Sequence, residues 1–479
     1  MGRFLDAFKP IARFMPEVKP PVRKVGFSEK LFWTGLVLVI YLVMCEVPLY
    51  GIPLYGRGVG YDPFFYMRVI LAAKRGTLME LGIGPIVTAG LILQLLAGSR
   101  IIQVDFSKPA DRGLFTSANK FFAIIMTLFE ASAYLFGGAY GQIKPEIGFL
   151  ICLQLLAAGI ILILLDEMLQ KGWGIGSGIS LFIAAGVAQT IWWYSFAPVG
   201  PMSDHKYFGA LVAFAQGIMQ NEYVTKGWWN LIHRPENLPD MLSFIATVAI
   251  FLVVMYFEGM RVEIPIAYAR FRGFRGKFPV KLLYVSNIPV ILASALFADV
   301  YFISQICWSK FNPDNKILWF NLLGTFNATS TQPEPIGGLA YYMTPPRSVD
   351  AVVKDPVKTI IYISILLIVC VIFSMTWVQV SGLDSKTVAK QLVDSGMQIP
   401  GFRRSEKPIQ ELLNRYIPAV TVLGGLTVGL IAAFGDVLNA FGGGTGILLT
   451  AGILFQYYQI LVKERITEMY PGISKFLGK

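Results

Sequence analysis

Ten apolar runs, each closed off by charged or turn-forming residues, set the limits on what this chain can become. They fall at about 31–50, 83–98, 114–137, 147–166, 177–197, 241–259, 287–305, 357–378, 417–435 and 440–461. Most are near the ~20 residues that a helix needs to cross a bilayer. Inside lipid no water is present to satisfy backbone N–H and C=O groups, so runs of this kind must be helices that close their own hydrogen bonds. Composition agrees: 55% of the residues are hydrophobic and only 15% charged, against roughly 25% charge in soluble domains. The chain is therefore expected to be an all-α polytopic membrane protein.

One run breaks the pattern. Ile83 to Gly98 is apolar enough for lipid, yet sixteen residues at 1.5 Å each cover only about 24 Å of a core roughly 30 Å thick. Glycines at 82, 84, 90 and 98 and Pro85 interrupt it. It follows a non-spanning excursion, residues 51–82, in which Pro63 to Lys74 has helical periodicity over only about twelve residues and carries two basic ones. A short helix tucked against the bundle is expected there. Short, glycine-broken spans beside such excursions suit protein that lines a cavity; a tilted helix packed through small residues is the plainer reading.

Charge sets the orientation. With an even number of spans both ends share a side, and that side, holding the N-terminal tail and the segments 99–113, 167–176, 260–286, 379–416 and 462–479, carries the larger share of the 41 Lys and Arg. The positive-inside rule puts it in the cytosol. Residues 1–30 lack the apolar core of a cleavable signal, and Phe4, Leu5, Phe8, Ile11, Phe14 and Met15 against Arg3, Lys9 and Arg13 read as an amphipathic interfacial helix. Two cytosolic loops are basic. AYARFRGFRGKFPVK carries Arg270, Arg272, Arg275, Lys277 and Lys281 among aromatic residues, and PGFRRSEKPIQELLNRY carries Arg403, Arg404, Lys407 and Arg415. Such clusters suit a phosphate backbone or anionic lipid, beyond what orientation alone asks of them.

The organisation that follows is a cytosolic N-terminal segment 1–30, a five-helix half 31–197 that includes the excursion, a linker 198–240 on the opposite side, a second half 241–461 and a cytosolic tail 462–479. Five is odd, so the second half must be inverted relative to the first. Opposite the cytosol, the 306–356 loop is rich in Asn, Pro and Gly, suits a funnel wall or a hinge, and holds the glycosylation tripeptide Asn327-Ala328-Thr329.

Catalytic chemistry finds little support. His205 and His233 share one loop without cysteine or carboxylate at ligand spacing and read as surface histidines, so no metal, cofactor or enzymatic site is expected. GGGTG at 442–446 lacks the Lys-Ser/Thr ending of a phosphate loop, and GWGIGSG at 172–178 suits close helix approach. The four cysteines, Cys45, Cys152, Cys307 and Cys370, are scattered in or beside spans, which suits packing rather than a disulfide framework. Glu46 and Asp436 sit near span ends, where water is close. Glu130 and Asp299 are different: each lies deep in a span, where a charge costs at least about 2.5–3.5 kcal/mol, so they should face each other, water or a polar cavity. Two function classes survive, an ion-coupled carrier built on these acids and a passive conduit for a large substrate with a cytosolic docking surface.

Longer strings narrow the choice. DPFFYMRVILAAKRGTLMELGIGPIVTAGLILQLLAG, GWGIGSGISLFIA, ARFRGFRGKFPVKLLYVSNIPVIL, LNRYIPAV and GGGTGILL resemble the SecY family, in particular the alpha subunits of the endoplasmic-reticulum Sec translocon. The resemblance implies a protein-conducting channel of two five-helix halves, multi-pass in the endoplasmic reticulum membrane with both termini cytosolic. It makes the excursion a plug beneath a constriction ring of Ile83, Val87, Ile179, Ile183, Ile291 and Leu449. A ring of branched apolar side chains dewets a narrow neck yet yields around a peptide; without the resemblance all six are ordinary core residues. Thr88, Glu130 and Asp299 match the polar cluster of a lateral gate through which signal sequences reach lipid. The family usually places amides where this chain has the two acids, which points to a shared proton closing the gate. Arg270, Arg272, Arg275, Lys277, Arg403, Arg404 and Lys407 match the surfaces on which ribosomes dock, facing ribosomal RNA. Implied partners are nascent polypeptides and signal sequences, small single-span beta and gamma subunits, accessory membrane proteins of post-translational transport, and the lipid bilayer.

Overall fold

The computed structural model describes residues 8–12, 14–52, 68, 71–98, 101–102, 104, 109–136, 144–202, 204–225, 227–234, 238–268, 275–285, 288–327, 335–346, 349–398 and 405–469. The expected helix at Pro63 to Lys74 lies mostly outside them, as does most of the N-terminal interfacial helix. Among the described residues nine helices are long and apolar enough to cross a membrane. The chain is a polytopic, predominantly helical membrane protein. It forms two compact units, residues 1–189 with 453–479, and residues 190–452.

The first unit starts with α1 (Lys9–Ala12), α2 (Phe27–Glu46), α3 (Gly84–Gly98), α4 (Pro109–Phe136), α5 (Pro145–Gln170) and most of α6 (Gly178–Phe196). The sixteen-residue run anticipated as too short is the fifteen-residue α3. Phe8, just before α1, is buried with its ring 5.9 Å from Phe121 and 5.7 Å from Phe122 of α4, so this side chain of the tail packs on protein, whereas Phe14 is 87% exposed. Leu49, Leu81, Ala131, Ile151 and Leu155 form an apolar core between α4 and α5 and the ends of the excursion.

Where α5 meets α6 the GWGIGSG stretch works as the spacing anticipated. A Cβ on Gly178 would fall 2.7 Å from the Cα of Asp166, and Gly176 takes the left-handed φ of +74° beside Tyr457. Asp166 accepts from the backbone N–H of Ile179 at 3.1 Å and from Ser177 Oγ at 3.2 Å. Beside it Lys120 and Glu167 form a buried ion pair at 2.6 Å, joined by Lys171 at 2.9 Å and by the backbone N–H of Val18.

The second unit continues with α7 (Ala210–Met219), α8 (Glu222–Thr225), α9 (Trp228–Ile232), α10 (Met241–Gly259), β1 (Arg261–Tyr268), β2 (Arg275–Lys281), α11 (Ile288–Phe311), α12 (Leu318–Leu323), β3 (Thr325–Phe326) and β4 (Pro335–Gly337). Then come α13 (Leu339–Met343), α14 (Val349–Lys354), α15 (Pro356–Val380), α16 (Ser385–Asp394), β5 (Met397–Gln398), α17 (Glu406–Val437) and α18 (Gly443–Met469), whose end returns to the first unit. Its core joins residues of α10, α11, α15, α17 and α18, among them Val254, Val290, Leu366, Cys370, Val428 and Leu448. Small residues permit the approach: a Cβ on Gly425 would fall 2.6 Å from Ser374 Oγ, and one on Gly435 would fall 2.2 Å from the Cα of Gly444.

Several expectations need correction here. Asp436 is not near water; it is buried, accepting from Tyr362 Oη at 2.7 Å and from the backbone N–H of Gly444 at 3.0 Å, so the GGGTG turn folds into the core. The basic 379–416 segment is largely regular, since α17 starts eleven residues before the apolar run at 417 and buries Ile409, Leu413 and Ile417 along one stripe. Pro408 falls in its first turn, where a missing N–H removes no intrahelical bond. The 260–286 loop is a β-hairpin, with Arg261 opposite Lys281 and Ala267 opposite Arg275. β5 adds to β1 through Ala267–Gln398 and Tyr268–Met397, so segments 130 residues apart form one sheet in the order β2-β1-β5.

The 198–240 segment is built around charge. Arg234, 3% exposed, donates to both oxygens of Asp204 at 2.8 and 3.1 Å and to the carbonyls of Tyr207, Phe208 and Pro239. Lys206 and Glu222 form a second buried pair. His205 is exposed, as read from sequence, but His233 is not a surface residue. Its Nδ1 lies 2.8 Å from Asp240, the N-cap of α10, and its Nε2 lies 3.1 Å from Asp350 of α14. Two carboxylates, one at each ring nitrogen, require both nitrogens to donate, which is the imidazolium form. Burial opposes that charge, but the hydrogen bonds His233 donates to Asp350 and Asp240 outweigh it and hold the His233 pKa above its usual value. A raised folded-state pKa gives stability that is complete below the unfolded value of about 6.5 and lost as pH rises through the folded one. Wild type should therefore out-melt His233→Ala clearly near pH 6 in detergent thermal unfolding, with the gap closing toward pH 9.

Candidate functional site

In the first unit the residues singled out by sequence gather around the first turns of α3 and α6. Ile83 is fully buried and Ile183 nearly so, while Val87, Thr88 and Ile179 are half-buried. The spacing of four puts 83 with 87, and 179 with 183, on single helix faces. Thr88 Oγ1 donates to the Gly84 carbonyl at 2.8 Å. A Cβ on Gly84 would lie 3.5 Å from Glu130 Oε2, so the carboxylate of α4 reaches the first turn of α3 one turn before Thr88. The tighter neighbour of Gly84 is Leu71 of the excursion, whose Cδ1 would lie 3.3 Å from such a Cβ.

The described part of the excursion is fastened to this turn. The Ile83 N–H donates to the Leu71 carbonyl at 2.8 Å, and Gly82, at φ +56°, passes so close that a Cβ would meet that same carbonyl. Across the base the Leu49 N–H donates to the Gly76 carbonyl at 3.1 Å and the Leu78 N–H to the Val47 carbonyl at 3.0 Å. Tyr41 of α2 donates to the Ala72 carbonyl at 3.1 Å and stacks on Phe182 of α6 at 4.8 Å, and Gly186 gives α6 its close passage beside both.

At the centre of this seat is a group that periodicity did not flag. Arg68 pairs with Glu80, which is 1% exposed and also accepts from the Gly76 N–H, and the guanidinium lies 5.8 Å from the ring centroid of Tyr134. An arginine and an acid twelve residues apart share no helical or strand period, so only an acid inside a glycine-rich apolar stretch hinted at a buried partner.

In the second unit Ile291 is half-buried in the first turn of α11, and Leu449 is 3% exposed in the second turn of α18. Asp299 belongs to α11, but its side chain lies outside the described residues, so the expected pairing with Glu130 has no geometry here. Of the basic residues, Lys277 is exposed on β2, its Nζ 2.5 Å from Glu263 of β1, and Lys407 is exposed in the first turn of α17. Arg275 holds its place in β2 with its side chain outside the described residues, as are Arg270, Arg272, Arg403 and Arg404 altogether. No cluster of three or more metal-ligating side chains occurs among the described residues.

Comparisons with known proteins agree along the whole chain. A family model described as SecY matches residues 77–458, and one described as the plug domain of Sec61p matches residues 39–76, spanning most of the seat just described. The chain is 43% identical to the protein translocase subunit SecY of Pyrococcus furiosus, with 99% of each covered. Among solved structures it resembles a protein-conducting channel at TM-score 0.77 and 40% identity, covering 97% of this chain and 99% of that one. Sec61 in the canine ribosome-channel complex from the endoplasmic reticulum gives TM-score 0.75 at 40% identity with the same coverage. The idle yeast Ssh1 complex bound to the 80S ribosome gives 0.73 at 28%, covering 95% and 93%. This decides for the conduit and against the small-solute carrier: the chain belongs to the SecY family, whose members are protein-conducting channels and not enzymes.

Proposed function

We propose that this chain is the channel subunit of an endoplasmic-reticulum translocon, passing secretory polypeptides across the membrane and releasing signal and transmembrane helices sideways into lipid. Its ten spans, α3 counted with the nine longer ones, form two inverted halves, 31–197 and 241–461, with both termini in the cytosol. The observation that carries the reading is the excursion fastened to the first turn of the short α3 through Leu71–Ile83 and Arg68–Glu80. A segment of the chain's own, held by a few bonds at the mouth of a helix too short to span, is what a closed conduit needs.

In this mechanism no bond is made or broken. Ile83, Val87, Ile179, Ile183, Ile291 and Leu449 line the neck, where branched apolar side chains exclude water and ions at rest and spread around a passing chain. Thr88, Glu130 and Asp299 form the polar seam of the lateral gate. A signal helix separates that seam because moving its apolar surface into lipid contributes about 25 cal/mol per Å². Direction comes from partners: the ribosome docked on the sheet and α17 through Arg270, Arg272, Arg275, Lys277, Arg403, Arg404 and Lys407, or accessory membrane proteins after synthesis. Small beta and gamma subunits complete the assembly. Support for the ribosomal partner is the likeness to relatives solved with ribosomes and the basic, aromatic hairpin.

The direct test is site-specific crosslinking during synthesis of a stalled secretory chain. Probes at Val87, Ile183 and Leu449 should all label the nascent polypeptide; a chain that labels from none of them removes the neck. The seat makes its own prediction, because deleting one partner of a buried ion pair costs ~3–5 kcal/mol. Glu80→Ala should raise the resting ion conductance of the reconstituted channel, and Arg68→Ala/Glu80→Ala should leak less than Glu80→Ala alone. Charge reversal at Arg272 and Arg275 should weaken ribosome binding and flatten its log–log salt dependence by roughly 0.7 for each RNA phosphate no longer neutralised, leaving resting conductance unchanged. Equal ribosome affinity of wild type and double variant at moderate salt would count against docking there.

A further inference from the structure

The segment that follows α11 exposes more apolar surface than a water-facing loop should, and does so rigidly. In the six-residue α12, Leu318 is 72% exposed, Trp319 79% and Leu322 61%, and Phe311 in the last turn of α11 is 63% exposed. Phe311 stacks on Phe320 of α12, with ring centroids 5.8 Å apart and planes 11° from parallel. Both elements belong to the second unit.

These side chains are fixed outward by a buried asparagine web. Asn312, 2% exposed, accepts from the backbone N–H groups of Lys316 and Ile317 at 2.8 and 3.0 Å and donates to Asn321 Oδ1 at 2.8 Å. Asn321 donates to the Asn315 carbonyl at 2.9 Å, and Asn315, itself at φ +55°, donates to the Phe326 carbonyl at 3.2 Å. Phe326, 1% exposed, wedges against Tyr301 and Trp308 of α11. Gly338 closes the back: at φ +80° it passes so near Asn321 that a Cβ would fall 2.6 Å from its carbonyl oxygen. The turn is therefore tied to the end of α11 from both sides and cannot fold Trp319 inward without breaking the web.

What covers this face follows from where α11 ends. Its 24 residues make a helix ~36 Å long against a hydrocarbon core of ~30 Å, so an end of it stands in the headgroup layer. That layer is ~5–7 Å deep on each side, about one helical turn. Asn312, the residue after α11, donates directly to Asn321 of α12 and Phe311 stacks on Phe320, so the short helix bearing Leu318, Trp319 and Leu322 is held against the end of the emerging span. Tryptophan with flanking aliphatic side chains, bordered by Lys310 and the exposed Asp314–Lys316 pair, is the composition that partitions to the bilayer interface.

We infer that α12 is a membrane-interface anchor, laying Leu318, Trp319 and Leu322 among lipid headgroups and upper acyl carbons where α11 leaves the bilayer. The 306–356 segment is then partly embedded and holds the end of α11 at a set depth. The occupant of the face is lipid itself.

The test places a benzophenone amino acid singly at Trp319, Leu322 or Asp314 of the full chain in phosphatidylcholine vesicles and reads adducts by mass spectrometry after illumination. Lipid adducts at 319 and 322, several-fold above those at 314, are expected. Equal yields at all three sites, or adducts to protein alone in native membranes, overturn the inference. A second reading avoids the probe: in vesicles brominated high on the acyl chains, Trp319→Phe should lose about one tryptophan's share, of the nine present, of the quenchable fluorescence. An unchanged quenched fraction also overturns it. Asn312→Ala, which loosens the web, should lower the adduct yield from Leu322 while α11 still spans.

Discussion

A charge withdrawn from water has to be answered inside the chain, and this requirement shapes the molecule wherever it is not simply a lipid-facing helix. Lys120 and Glu167 lock the end of α5 against α4, Arg234 and Asp204 gather the 198–240 segment, and Arg68 and Glu80 hold the excursion. Arg234–Asp204 and Arg68–Glu80 sit where the backbone departs from regular helix, and Glu167 is in the last turn of α5, where buried groups that the helix leaves unsatisfied are costly. Buried pairs of this kind add little net stability relative to apolar packing, but they penalise every arrangement that separates them. They select one geometry for segments that apolar contacts alone would leave adaptable.

That selectivity shows in how differently the two units hold their parts. The seat at α3 combines a few backbone hydrogen bonds, one buried ion pair and two glycines, Gly82 and Gly84, that allow closeness without a large apolar area. Such an attachment is specific when formed and undone in few steps. The core of the second unit is the opposite case, with glycines 425, 429, 435 and 444 letting long helices pack over many residues. The first attachment rests on a few polar contacts, the second on extended helix packing.

Much of the fold could be read from the sequence because lipid imposes a simple rule. Apolar length gave the spans, glycine and proline marked α3 as short, and GWGIGSG gave a tight helix entrance. The errors arose where distant partners decide the outcome. Nothing near His233 in sequence announces Asp350, 117 residues on, and Asp436 looked like a span-end acid until the turn beyond it folded back onto α17. The hairpin at 261–281 was legible in principle, since RVEIPIAY alternates with a period of two, but its basic charge drew the reading toward docking before structure. The residues proposed for the neck are ordinary isoleucines, valine and leucine, so no local signal separates them from core; only their likeness to the family's motifs singled them out.

The three-stranded sheet has a last implication. Because β5 lies edge-on to β1, the hairpin and the stretch leading into α17 share one ladder, and α17 buries its inner stripe in the second unit. A displacement of β1 is therefore shared with β5, which precedes a 32-residue helix by seven residues of sequence. The two segments that stand out in sequence for their basic charge are thus joined by one ladder inside the second unit, so a shift of either is felt by the other.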